Sequence, residues 1–107
     1  LLDEGRFPRA WFGASDTHLM RLGAVLRERG LGVPRDVALV GMDDQETSKF
    51  FSPPLTTVRI PFRRAGAAAV DILMNLVDHP EEESAHLFLR HELVVRESCG
   101  AKEAARG

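Results

Sequence analysis

From Val37 to Val58 the chain reads VALVGMDDQETSKFFSPPLTTV, and the rest is arranged about this stretch. Its opening residues, Val37 to Val40, form a short apolar run between Asp36 and Gly41. A run of that length, bounded by turn residues, is read as a strand buried on both faces. It gives way at Gly41-Met42-Asp43-Asp44 to two adjacent carboxylates, then to a polar loop, Phe50-Phe51, Ser52-Pro53-Pro54 and a second short strand from Leu55. Ligands of open α/β sheets gather beyond the carboxyl ends of strands, and Asp43 stands at such an end.

The residues before this stretch supply its partners. Leu1 to Gly5 reads as the last turn of a helix, with Gly5 as the left-handed stop. Ala10 to Ala14 is a short buried strand. Ser15 and Asp16 follow it, and either side chain can accept from a free amide of a helix's first turn. Between Thr17 and Arg29 the apolar positions Leu19, Met20, Leu22, Val25 and Leu26 make one helical stripe. Gly30 ends that helix and Pro34 prevents its restart. The next strand runs from Val37 to Met42. Strand, helix and strand with short links form a βαβ unit, whose strands are expected parallel and whose crossover right-handed.

Beyond Asp43 comes a loop to Pro54, with one helical turn expected over Gln45 to Phe50, and then a strand from Leu55 to Arg59. Pro61 suits the first position of a helix. Phe62, Ala65, Gly66, Ala69, Val70, Leu73, Leu76 and Val77 then recur at steps of three and four. The small residues among them allow close approach to a flat partner. Glu81 to Ser84 is an acidic turn, His86 to Val95 a last strand, and Glu97 to Gly107 a polar tail expected to fray.

Composition sets wide bounds. At 107 residues, 44% hydrophobic and 28% charged with net charge −2, the chain suits one small soluble domain or a piece of a larger one. Nothing in that balance is a nucleic-acid footprint. There is no run long enough to span a membrane. The single cysteine, Cys99, forms no internal disulfide and suits a reducing compartment. It lacks an initiator Met and starts in mid-phrase, so a fragment is expected.

In FGASD at 12–16, VPRDVALVGMDD at 33–44, PPLTTVRIPF at 53–62, Gly66 and HELVVRESCG at 91–100, the sequence resembles the effector-binding domain of LacI/GalR transcription regulators. The match runs from about Arg9 to Gly100. The resemblance implies an α/β, parallel-sheet, periplasmic-binding-protein-like (type I) sensor domain, of which this is the C-terminal fragment. Residues 1–60 would belong to the C-terminal lobe and 61–80 would give a helix to the N-terminal lobe. Residues 81–100 would return to the first lobe and 101–107 would be tail, the DNA-binding domain being absent. The family usually has Asn-Asp where this chain has Ser15-Asp16, and often small residues where it has Leu19 and Arg21.

The resemblance also assigns roles. Asp43 would accept hydrogen bonds from effector hydroxyls; read from the residues alone, it could instead cap the following turn. Ser15 would touch effector or act as a plain helix cap. Asp16 is assigned to capping or hinge bonds, and Asp44 to capping or solvent. Phe62, with a weaker role for Ile60, would stack on the effector or else pack in a core. Met20, Phe50 and Phe51 would lie at a dimer interface, unless the phenylalanines fold back on the Leu19 helix. The implied function is effector sensing in a bacterial repressor. The effector would be a sugar or similar small polar metabolite, operator DNA would be reached through the missing domain, and no cofactor or metal is expected. A solute-binding protein of a transport system shares the fold. Asp43-Asp44 as a Mg²⁺ pair of a phosphoryl-transfer receiver is a third reading. His18, His79, His86 and His91 have no metal-ligand spacing, and no phosphate-binding GxxxxGK[ST] motif is present.

Overall fold

The computed structural model describes residues 4–106, without the side chains of 104–106. It divides into two compact units, one made of residues 4–59 with 92–106 and the other of Ile60–His91. The first holds a four-stranded sheet in the order β1 (Ala10–Phe12), β2 (Ala38–Met42), β3 (Thr56–Arg59), β4 (Glu92–Val94). β1, β2 and β3 are parallel, with Ala10 opposite Ala38 and Val40 opposite Thr56. β4 runs antiparallel to β3, with Val58 opposite Leu93.

Helix α1 (Asp16–Glu28) links β1 to β2. Leu19, Gly23 and Leu26 lie four and three residues apart, so they share the face that meets β2. Leu19 and Leu26 are buried together with Val37, Leu39 and Leu55, and this cluster is the core. Gly23 has to be small because a Cβ there would meet the ring of Phe51. Gly30, at φ +75°, ends the helix as its sequence position requires.

Burial alternates along β2: Leu39 and Gly41 are buried, whereas Ala38, Val40 and Met42 are half-covered. The strand is therefore sealed on one face only, contrary to the expectation of burial on both. Phe12 and Leu93 share the second face with Val40 and Met42 and are 64% and 61% exposed.

Two further expectations are corrected. The strand expected over His86 to Val95 is confined to Glu92–Val94. A strand lasts only as long as its ladder, and β3 offers partners only from Thr57 to Arg59. Leu87 and Phe88, outside that ladder, are 58% and 95% exposed. The tail, expected to fray, is anchored. Ser98 is fully buried, and its hydroxyl accepts from Thr56 N (2.8 Å) and donates to Leu39 O (2.6 Å), just before the β2–β3 ladder begins. A short helix, α3 (Ala101–Arg106), follows Gly100. The helix end expected over Leu1–Gly5 lies largely outside the described residues, although Gly5 has the left-handed φ of +70°.

The second unit is built on helix α2 (Phe62–Asp78), whose run of alanines favours it. No residue of α2 is buried; Val70, Leu73, Met74 and Val77 are each more than half exposed. Asn75 Nδ2 donates to Glu82 Oε2 (2.7 Å), tying the helix to the segment after it.

Candidate functional site

The carboxyl ends of β1 and β2 lie side by side because the strands are parallel neighbours. Gly13 N still donates to Val40 O (3.0 Å), so the pairing continues past β1 towards Ser15. Ser15 stands at the N-cap of α1 in an extended conformation, yet its hydroxyl makes no capping bond. Asp43 follows Met42 directly and is half-buried. Its N–H donates to Val58 O of β3 (2.9 Å), and its carboxylate has no hydrogen-bond partner among the described residues. Both candidates thus stand beyond one edge of the sheet with polar atoms uncommitted.

The backbone there is unusual. Asp43 has φ +112° and Asp44 φ +53°, in the region that L-residues seldom enter. Such conformations persist where surrounding bonds over-determine them. Asp16 is one source of those bonds. It is fully buried, and its carboxylate accepts from Thr57 Oγ1 (2.6 Å) and Gln45 N (2.8 Å). Asp16 therefore does not cap α1; it ties the end of β1 to β3 and to the loop after β2. The hydroxyl of Thr57 also accepts from Asp44 N (3.3 Å), and Thr17 Oγ1 donates to Gln45 Oε1 (2.9 Å). Gly41 leaves room for this brace, since a Cβ there would meet Asp16 Oδ1.

Asp44 is the other source, and here reading it as a cap or a solvated acid is corrected. Its side chain is only 8% exposed. Arg96 Nη2 donates to one oxygen (2.7 Å) and Arg59 Nε to the other (2.8 Å). Burial pushes the Asp44 carboxyl up, but the bonds and charges of the two arginines outweigh it and hold the group below its ordinary range. Arg96 also donates to Ser48 Oγ (3.0 Å) and Leu55 O (2.9 Å). Neither arginine was singled out from the sequence. The available signal was an arginine at or just past the end of each of two strands.

Of the other candidates, Met20 and Phe51 pack against the core. Phe51, read either as part of an interface patch with Phe50 or as folded back on the Leu19 helix, lies against Gly23 of that helix, α1. Phe50 is 80% exposed. Ile60 and Phe62 belong to the second unit; Phe62 N donates to Ile60 O (2.8 Å), and Phe62 is 59% exposed in the first turn of α2. A concavity of about 580 Å³ lies at the amino ends of β1 and β2, lined by Arg6, Phe7, Arg9 and Arg35 among others, away from Ser15 and Asp43. Among the described residues no three of His, Cys, Asp and Glu group as metal ligands, and no helix is long and apolar enough to cross a membrane.

The first unit is an α/β fold with a mostly parallel sheet, and ligands of such sheets gather beyond the carboxyl ends of the strands. The chain belongs to the periplasmic binding protein-like domain family, whose model matches residues 2–99, and within it to the sensor domains of LacI/GalR-type regulators. It is 39% identical over 104 residues to the HTH-type transcriptional repressor PurR of Pasteurella multocida (strain Pm70), covering 95% of this chain and 30% of that protein. Among solved structures it is similar to the Lac repressor bound to ONPG in the repressed state (TM-score 0.81, 34% identity, 91% of this chain and 29% of that one). It is also similar to a complex of the transcriptional regulator CelR with cellobiose (TM-score 0.83, 36% identity, 91% of this chain and 30% of that one). The chain therefore spans about 30% of the length of the curated relatives it matches. These relatives are named as transcriptional regulators and not as enzymes.

Proposed function

We propose that the chain is the effector-sensing piece of a bacterial DNA-binding transcription regulator, and that Asp43 with Ser15 forms its share of the effector site. The observation that carries this is the contrast between neighbours: Asp44 is fully committed to two arginines, whereas Asp43 has a free carboxylate on a strained backbone at the same edge. An ionised carboxylate offers about four acceptor sites, which suits a polyol presenting several hydroxyls. The effector class is a sugar or similar small polar metabolite. The names of two relatives' structures, with cellobiose and with sucrose bound, support that class. Ile60 and Phe62 would supply apolar contacts, the first unit would be part of one lobe, and Ile60–His91 part of the other. Effector binding would shift the population between lobe arrangements of different operator affinity. The regulator would act in the cytoplasm as a homodimer or larger assembly, with Met20, Phe50 and Phe51 near the contact.

The test is calorimetric titration of the full-length regulator and its Asp43→Ala variant with a sugar panel that includes cellobiose and sucrose. A charge-assisted hydrogen bond contributes about 1.5–3 kcal/mol, so affinity for the binding sugar should fall by about 10- to 100-fold. Equal affinity in the two proteins would remove Asp43 from the site. A helix-turn-helix upstream favours the regulator, whereas a secretion signal there would favour a solute-binding protein.

A further inference from the structure

We infer that Arg96 and Arg59, acting through Asp44, are positioning residues that hold Asp43 in its ligand-facing conformation; the inference rests on the effector reading of Asp43. Three observations meet. The first is backbone: Asp43 and Asp44 both have positive φ, and a pair of non-glycine residues stays there only when held. The second is the completeness of the hold on Asp44. Each carboxylate oxygen receives one guanidinium, and the Arg96 side chain is only 13% exposed. Arg96 is itself fixed by Ser48 Oγ, within the 3₁₀ turn Glu46–Lys49 of the same loop, and by Leu55 O. Ser48 Oγ also donates to Asp44 Oδ1 (3.4 Å), so the bond to Leu55 O is the one that holds Arg96 independently of Asp44. The third is where the two arginines come from. Arg59 ends β3 and directly precedes the second unit in the chain, and Arg96 lies just past β4, the strand that directly follows that unit. Arg59 also reaches Glu92, the first residue of β4 (3.3 Å).

The cluster thus bonds the loop carrying Asp43 to Arg59, where the chain leaves the first unit, and to Arg96, just past β4, the first strand after its return. A change in the path of the chain at either arginine alters the hold on Asp44, and through one peptide bond the conformation of Asp43. By reciprocity, a ligand that draws on Asp43 loads the same two bonds. Thr57 Oγ1, held by Asp16, also accepts from Asp44 N (3.3 Å) and so braces the same peptide from β3, but without charge.

Amide hydrogen exchange of the full-length protein tests this without any effector. The Asp43 N–H, bonded to Val58 O, reports the loop, and the Ala38 N–H, bonded to Arg9 O at the far end of the strand, reports global stability. In Arg96→Gln the Asp43 amide should exchange about tenfold faster relative to Ala38. Asp44→Asn should match it, and the double variant should exceed neither, because both remove one interaction. Arg59→Gln loses a half-exposed group and is expected to fold normally; it should show a smaller rise, about threefold. Equal acceleration of Asp43 and Ala38, additive single effects, or no change in Arg59→Gln and Arg96→Gln would each overturn the inference. The outcomes are separable from those of the effector reading. Loss of sugar affinity in Asp43→Ala with unchanged exchange in the arginine variants sinks the positioning role alone. Unchanged affinity in Asp43→Ala sinks the effector role, and with it the purpose of the positioning, whatever the exchange shows.

Discussion

A buried carboxylate stands at Asp16, satisfied by a hydroxyl and a backbone amide. Replacing it by alanine strands both donors. Each unsatisfied buried group costs about 1–3 kcal/mol, so Asp16→Ala should lower the unfolding free energy by about 2–6 kcal/mol in urea titration. Asp44 makes a prediction about acid. Its folded pKa lies below its unfolded value, because its two arginine bonds outweigh the burial that alone would raise it. The stability from this pairing is therefore complete above the unfolded value of roughly 4 and is lost as pH falls through the lower folded value. Wild type should exceed Asp44→Asn in unfolding free energy by a constant gap above about pH 5, and that gap should close on acidification. A gap independent of pH would contradict the pairing. At this scale the sequence reveals what is local. The placement of Ser15 and Asp43 beyond neighbouring strand ends is legible because the strand-helix-strand pattern makes β1 and β2 parallel neighbours. The partners of Asp44 are not, since Arg96 lies 52 residues away and only the fold brings it near. Asp16 is open between a helix cap and hinge bonds by position, and its bonds to Thr57 and Gln45, distant in sequence, are what exclude the cap.

At the level of elements, the core rests on a single helix face against β2. Leu26 is fully buried within it, so Leu26→Ala should cost about 2–5 kcal/mol, read from the midpoint of chemical unfolding. Val25, its neighbour in sequence, is 39% exposed, and Val25→Ala should change stability far less. The βαβ unit and α2 were legible because hydrophobic spacing and terminal Gly and Pro signals agree on them. The last strand was overdrawn, since periodicity in His86 to Val95 shows what could pair and not what partner is present. The anchored tail was missed because its hold is one serine hydroxyl and a few backbone bonds, which leave no hydrophobic pattern.

For the molecule as a whole, the exposed side of α2 is the main unbalanced term. Phe62, Val70, Leu73 and Val77 are all more than half exposed, and covering such a stripe at about 25 cal/mol per Å² is worth several kcal/mol. The 107-residue chain by itself should therefore self-associate with concentration, and Leu73→Lys with Val77→Lys should shift sedimentation toward the monomer. A monomer at high concentration with that helix still exposed would contradict this. Ser98 bears on a different matter, the order of assembly during translation. The centre of the sheet is mended by a residue that leaves the ribosome after β1, β2 and β3 have all emerged. β2 and β3 pair directly from Val40 and Thr56 onward, so what waits for Ser98 is the bridge between Leu39 and Thr56 at the start of that ladder.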